Sequence, residues 1–199
     1  MLVLALDTTT RAGSCALARD GVVVCEQASD ESRPQATRLP AELMALLEQE
    51  RVELDEVDLF AVATGPGSFT GLRIGIATMQ GLAFAETKGL IGISALDALA
   101  VVAAASLKGP THRVATWVDA WRGEVYAALY ENGREVEPPT VESPQAVLDR
   151  LGESAARTAF IGDGAHANAR LILEAAPSAM IVEPAMPLIA GIAPVRKVA

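Results

Sequence analysis

Histidine, cysteine, aromatic residues and positive charge are all scarce in this chain, and each scarcity removes a class of chemistry. Of 199 residues only two are histidine, His112 and His166. They stand far apart with no ligand-spaced partner, so no imidazole set of the kind that holds zinc or iron is expected. His112, beside Arg113, reads as a solvated residue where a strand opens. Two cysteines cannot build a disulfide framework. Cys15 and Cys25 fall on two short strands joined at Asp20-Gly21, a two-residue hairpin signal. In a regular register Cys25 faces Ala16, which points the thiols to opposite sides of the sheet and predicts buried, unbridged cysteines. Aromatics make up 4% of the chain, which favours close-packed helices and parallel or mixed strands over an aromatic binding sheet. With a net charge of −9 and a pI near 4.7, the surface offers few cations to a phosphate backbone, so any work on RNA needs something else to hold the RNA. No apolar run reaches the ~18 residues that span a bilayer. The opening MLVLAL is too short for a signal-peptide core, has no basic residue before it and ends at Asp7. A cytoplasmic protein without a membrane segment is the expectation.

What the chain does have is a 51% hydrophobic fraction drawn mostly from Ala, Val and Leu, enough to build a sizeable core. Periodicity and breakers predict strands at 2–7, 13–19 and 22–28, a helix at 36–50, a strand at 58–63, a helix at 70–86, a strand at 89–93 and a helix at 95–106. Three strands able to pair antiparallel, followed by alternating helix and strand, are the pattern of a ribonuclease-H-like half-domain. Lys108-Gly109-Pro110 marks a break. The pattern then restarts with strands at 113–119 and 124–130, a turn at Asn132-Gly133, a helix at 143–151, a strand at 158–162 and a helix near 165–175. The prediction is therefore an α/β protein of the duplicated actin-like ATPase type (ASKHA, ribonuclease-H-like) with mixed sheets. Its N-terminal half would be 1–108 and its smaller C-terminal half 109–199. Pro177, Pro184, Pro187 and Pro194 predict an irregular tail.

The most informative stretch is Thr64 to Gly75, TGPGSFTGLRIG. An apolar strand ending at Ala63 meets a Gly-Pro-Gly turn, and Ser68 and Thr70 supply hydroxyl caps for the following helix. A strand, a glycine turn and a helix N-terminus can present N–H groups to an anion. They also make any tight strand-to-helix connection. The spacing excludes two common phosphate loops: a Rossmann fingerprint starting at Gly65 needs a small residue where Thr70 stands, and a Walker loop needs Lys where Leu72 follows Gly71.

A second candidate is Asp7-Thr8-Thr9-Thr10, which follows the first strand where actin-like enzymes hold a metal-bound water and a phosphate. A polar strand end with local side-chain turns explains the same residues. The loop lacks an internal glycine, so backbone cannot approach phosphate closely, and these four residues are read as a vestigial cofactor-binding site. Asp119, Arg122 and Glu124 straddle a turn and read as solvated charges. Asp163, between Gly162 and Gly164, fits either a nucleotide loop or a helix-opening turn.

These segments resemble the TsaB (YeaZ) family, the smaller relative of the TsaD subunit in bacterial tRNA threonylcarbamoyladenosine synthesis. The resemblance is carried by LALDTTTRAGSCALARDG at the start, the TGPGSFTGLRIG stretch, Gly92 to Leu99, Val118-Asp119-Ala120 with Gly123-Glu124-Val125-Tyr126, and more weakly Phe160 to Ala165. Trp121, where the family usually has a basic residue, Pro34, where histidine is common, and an ending without a tyrosine-arginine pattern depart from it.

The resemblance implies a non-catalytic subunit that acts as scaffold and activator of TsaD, in a complex that moves threonylcarbamoyl to N6 of the adenosine beside the anticodon. It implies TsaD and TsaE homologues as partners, a possible homodimer, and tRNA contact only through the complex. It implies no intrinsic cofactor or metal; ATP and a metal belong to the partner complex. TsaD relatives carry a metal-binding histidine pair after the long helix, whereas here Ile91 to Asp97 contain none.

Small and apolar residues on the two long helices, Leu39, Leu43, Leu46, Gly71, Leu72, Gly75, Ile76 and Met79, are the predicted partner surface. Packing against the chain's own sheet is the competing explanation. An autonomous nucleotide-binding phosphotransferase of the actin-like superfamily and a metal-dependent peptidase homologue are the alternative functions.

Overall fold

A computed structural model describes residues 1–10, 12–28, 34–107, 113–183 and 189–192. The Lys108-Gly109-Pro110 break, His112, Pro184, Pro187 and the Pro194–Ala199 ending lie outside the described residues. The described residues form two compact units. One holds Met1–Ala98 and the tail helix α7 (Ile189–Ile192), and the other is Leu99–Met186. The division thus falls after Ala98, inside a helix, and not at the glycine-proline break expected near 108. In physical terms the first turn of that helix packs with the first sheet.

The first unit is a five-stranded mixed sheet, ordered β3-β2-β1-β4-β5. Its strands are β1 (Leu2–Asp7), β2 (Ser14–Arg19), β3 (Val22–Ala28), β4 (Leu59–Gly65) and β5 (Gly89–Ser94). The hairpin strands β1, β2 and β3 pair antiparallel, and β4 lies parallel to both β1 and β5. In the second unit β6 (Arg113–Asp119), β7 (Val125–Glu131), β8 (Arg134–Glu142), β9 (Thr158–Ile161) and β10 (Met180–Val182) give the order β8-β7-β6-β9-β10 with the same pattern of strand senses. The half-domain expected from the sequence is present twice.

β1 is buried along its whole length because both faces of the sheet are covered. Its even residues Leu2, Leu4 and Leu6 pack with Leu17, Phe60 and Val62 beneath α1 (Gln35–Gln49) and α2 (Phe69–Ala85). Its odd residues Val3 and Ala5 join Ala16, Ala18, Ala61 and Ala63 beneath Ala98, Ile189 and Ile192. Ala98 lies in α3 (Ala95–Ser106). Leu39, Leu43, Leu46 and Leu47 recur at helical spacing on α1 and all turn inward.

This corrects the predicted partner surface. Leu39, Leu43, Leu46 and Met79 are core residues, and Gly71 and Gly75 are buried. Ile76 is half-buried against the same core, and Leu72 is half-buried beside Gly65. The physical reason is that the sheet's own apolar face, Leu4, Leu6, Leu17, Phe60 and Val62, takes up the inner face of both helices.

A β-bulge between Leu17 and Ala18 corrects the cysteine register. Cys25 stands opposite Leu17, not Ala16, so both thiols lie on the α1 side of the sheet, both free. Burial, with Glu42 nearby, pushes the Cys15 thiol up to about 12.

The second unit's core centres on Trp117, packed edge-to-face on Phe160 at 5.2 Å, beneath α4 (Pro144–Leu151) and α6 (Ala169–Ala175). β8 has no counterpart in the sequence reading, because Pro138-Pro139 argue against a strand. It is an edge strand, where missing N–H donors are tolerated, and its pairing with β7 slips twice around the prolines. Arg150 of α4 ties down the strand by bonding Glu137, Thr140 and Glu142. The helix expected near 165–175 is two helices, α5 (Asp163–Ala167) and α6, broken at Asn168, whose side-chain amide donates to the Gly164 carbonyl at 2.8 Å.

Leu43 has no exposed surface. Leu43→Ala should cost about 2–5 kcal/mol of stability in denaturant melts. A cost under about 0.5 kcal/mol would contradict the core assignment.

Candidate functional site: the loop after the first strand and the outer face of helix α2

β1 ends at Asp7, which is only 3% exposed. Its Oδ1 accepts the Thr9 N–H at 2.8 Å. Burial holds the carboxyl above the ordinary carboxylate range, and hydrogen bonds from the Thr9 backbone and side chain only partly oppose this.

The loop that follows is engaged on every side by its own chain. The Thr9 carbonyl accepts from Ser68 N–H at 2.7 Å, and the Thr10 carbonyl from Gln35 Nε2 at 3.0 Å. Thr10 Oγ1 accepts from Gly13 N–H at 3.1 Å. The Ala12 carbonyl accepts from Arg38 Nη2 at 2.6 Å, and the buried Arg38 guanidinium pairs with Glu42 at 2.9 Å. Ser68 in turn caps α2 by accepting the Gly71 N–H.

Thr8 has no exposed surface, and its Oγ1 finds no hydrogen-bond partner among the described residues. A Cβ added at Gly75 would lie 2.2 Å from that oxygen, and one added at Gly71 would lie 2.3 Å from the Thr8 carbonyl. The helical glycines, each costing ~1 kcal/mol in propensity, are where α2 rests on the loop. Asp7, Thr8 and Thr9 are buried and only Thr10 is exposed. Thr8 is turned to Gly71 and Gly75 of α2, the Thr9 and Thr10 carbonyls are taken by Ser68 and Gln35, and Thr10 Oγ1 is taken by Gly13.

The outer side of α2 is different. Phe69, Arg73, Ala77, Gln80, Gly81 and Phe84 are all exposed and, at spacings of three and four, share one face. Phe69 is 73% and Phe84 88% exposed, and the Arg73 guanidinium lies 5.5 Å over the Phe69 ring. The chain has four phenylalanines. Phe60 and Phe160 are in cores, so half of this residue type is spent on one open helix face.

In the second unit Asp163 Oδ1 accepts N–H bonds from Gly164 at 2.8 Å and Asp119 at 3.0 Å, and Asp119 Oδ1 accepts from Trp121 at 2.8 Å. Asp119 is half-exposed and also braces this turn, while Arg122 and Glu124 are exposed. His166 Nε2 lies 3.3 Å from the Val182 carbonyl. Among the described residues no three His, Cys, Asp or Glu side chains stand together as a metal site.

The family model "TsaD: tRNA N6-adenosine threonylcarbamoyltransferase" matches residues 8–171. The Escherichia coli tRNA threonylcarbamoyladenosine biosynthesis protein TsaB is 36% identical over 171 residues, spanning 82% of this chain and 72% of that protein. The chain belongs to the TsaB (YeaZ) family. The Haemophilus influenzae TsaB is 39% identical over 76% of this chain and 68% of its own length. The crystal structure of an uncharacterised Pseudomonas aeruginosa protein with similarity to peptidase YeaZ superposes with a TM-score of 0.78 at 32% identity, covering 96% of this chain and 88% of that one.

Membership of the TsaB family places the chain in tRNA threonylcarbamoyladenosine biosynthesis, on an actin-like duplicated fold. Among the described residues no helix is long and apolar enough to cross a membrane. The aliphatic and glycine positions singled out in the sequence fall on the inner faces of α1 and α2. A signal for the outer face was present in Phe69 and Phe84, fifteen residues apart and so close to four helical turns.

A carboxyl whose folded-state pKa is raised ionises more readily once unfolded. Asp7 therefore costs no stability below the usual carboxylate range, and stability is lost as pH rises through the raised pKa. Asp7→Asn keeps an oxygen for Thr9 N–H and removes the charge. It should raise Tm at neutral pH, with the gain shrinking toward acid pH. A pH-independent gain, or a loss at neutral pH, would contradict the buried-charge account.

Proposed function

We propose that this TsaB-family chain is a non-catalytic subunit that docks a TsaD partner on the outer face of α2. In this role it keeps TsaD competent to transfer threonylcarbamoyl to N6 of the adenosine beside the anticodon. The observation that carries the reading is the pair of exposed phenylalanines, Phe69 and Phe84, on one face of a helix whose other face is fixed to the core. Large aromatics at exposed, rigidly held positions are typical anchors of protein interfaces. The loop at Asp7 to Thr10 supports the non-catalytic part, because Asp7 Oδ1 and the Thr9 and Thr10 carbonyls are committed within the chain. ATP and metal chemistry then belong to TsaD and to the ATPase TsaE acting on the pair. tRNA is held by the complex in the cytoplasm, in keeping with the chain's net charge of −9. Without TsaD, the same face would close on a second copy of the chain.

An autonomous phosphotransferase needs the loop groups that α1 and α2 occupy. A peptidase reading has only a resembling protein's name behind it.

Reconstitution tests the proposal. Transfer should require this chain together with TsaD, TsaE and the adenylate-forming synthase, and transfer by this chain with the synthase alone would overturn it. Phe84→Asp should weaken TsaD binding by about 30-fold or more. Its Tm should stay close to that of the parent, since so exposed a side chain contributes little to the fold. Unchanged TsaD affinity would remove α2 from the interface.

A further inference from the structure

The loop after β1 and the partner-facing helix touch at one place, and the contact is close. From the proposed reading that TsaD docks on α2, we infer that Thr8 is a positioning residue for that docking face. In this view the Asp7–Thr10 loop works as the seat that sets the height and pitch of α2, not as a ligand site.

Three observations carry the inference. Gly71 and Gly75 sit one turn apart on the side of α2 opposite Phe69 and Phe84, and both are closed off by Thr8, one by its carbonyl and the other by its side chain. Thr8 cannot yield, because it has no exposed surface and the loop on its C-terminal side is pinned by Ser68 N–H on Thr9, Gln35 on Thr10 and Arg38 on Ala12. The buried Thr8 hydroxyl also has no hydrogen-bond partner among the described residues. The side chain's contribution there is shape, a methyl and a hydroxyl that close the space over Gly75.

A rigid helix moved at one end moves along its whole length. Widening the seat by one methyl group should therefore displace Phe69 and Phe84 relative to the rest of the unit, and interfaces penalise such shifts because packed surfaces do not deform continuously.

The test is a double-mutant cycle read by TsaD titration and thermal melts on the folded chain. Gly75→Ala should weaken TsaD binding by about 5- to 150-fold, the span that overpacking converts to. Thr8→Ala removes the Oγ1 and Cγ2 atoms that lie within 2.9 Å of the added methyl. In that background Gly75→Ala should cost less than about twofold.

A role confined to stability gives a different pattern, in which Gly75→Ala lowers Tm while affinity stays unchanged well below the melt. That pattern, or a loss that Thr8→Ala does not rescue, overturns the inference. Should Gly75→Ala fail to fold, Gln35→Ala decides. It frees the Thr10 carbonyl without opening the core, so it should cost affinity with the fold intact, and unchanged affinity overturns the inference. Phe84→Asp, run in parallel, keeps the two claims apart. If it leaves binding intact the docking face itself is wrong, whereas if it abolishes binding while the cycle shows no coupling, only the seat is wrong.

Discussion

The contact of Thr8 with Gly71 and Gly75 is the constraint on which the arrangement of the first unit turns. A sheet strand, a loop and a 17-residue helix meet there with no room for a single methyl group. Because the glycines lose helix propensity, α2 owes its position to packing: Met79 and Ala83 on the sheet, with Ile76 and Leu82 at the edge of the same core. Ser68 links the elements twice, through its N–H to the Thr9 carbonyl and its hydroxyl to the Gly71 N–H.

The same region carries charges that a minimal fold would avoid. Arg38 and Glu42 form a buried pair, and such pairs seldom add net stability because desolvation offsets the attraction. What Arg38 adds is geometry, since its second nitrogen holds the Ala12 carbonyl and so fixes the return of the loop toward β2. Asp7 is likewise buried at a cost. In an actin-like fold this strand end is where phosphate chemistry takes place. Here Asp7 Oδ1 and the Thr9 and Thr10 carbonyls brace the chain, and exposed apolar side chains lie on the far side of α2.

Much of the fold was legible because hydrophobic period and breakers report it directly. The strand-and-helix order of the first half, the hairpin at Asp20-Gly21 and the helix opening at Ser68 all follow from local chemistry. Features set by partners distant in sequence were not legible. The bulge that realigns Cys25 shows only in the pairing of two strands, and β8 looked unlike a strand because its prolines are tolerated at an edge. The burial of Glu42 depends on Arg38 beside it, a pairing that composition does not reveal. The helix pair was recognised as special, but a leucine stripe and a row of glycines look the same whether they face a partner or the chain's own core. Phe69 and Phe84 are the large apolar side chains that the core leaves open on α2. The division after Ala98 was hidden because it falls within a continuous helix.

Hydrogen–deuterium exchange of the chain alone and in complex with the TsaD homologue from the same cell tests the central claim most directly. The account predicts that exchange slows in 69–85 and in the loop at 7–13 it rests on, because docking on one side of α2 suppresses opening of the seat on the other. Slowing confined to other surfaces, such as the exposed turn at Trp121, with 69–85 unchanged, would contradict it.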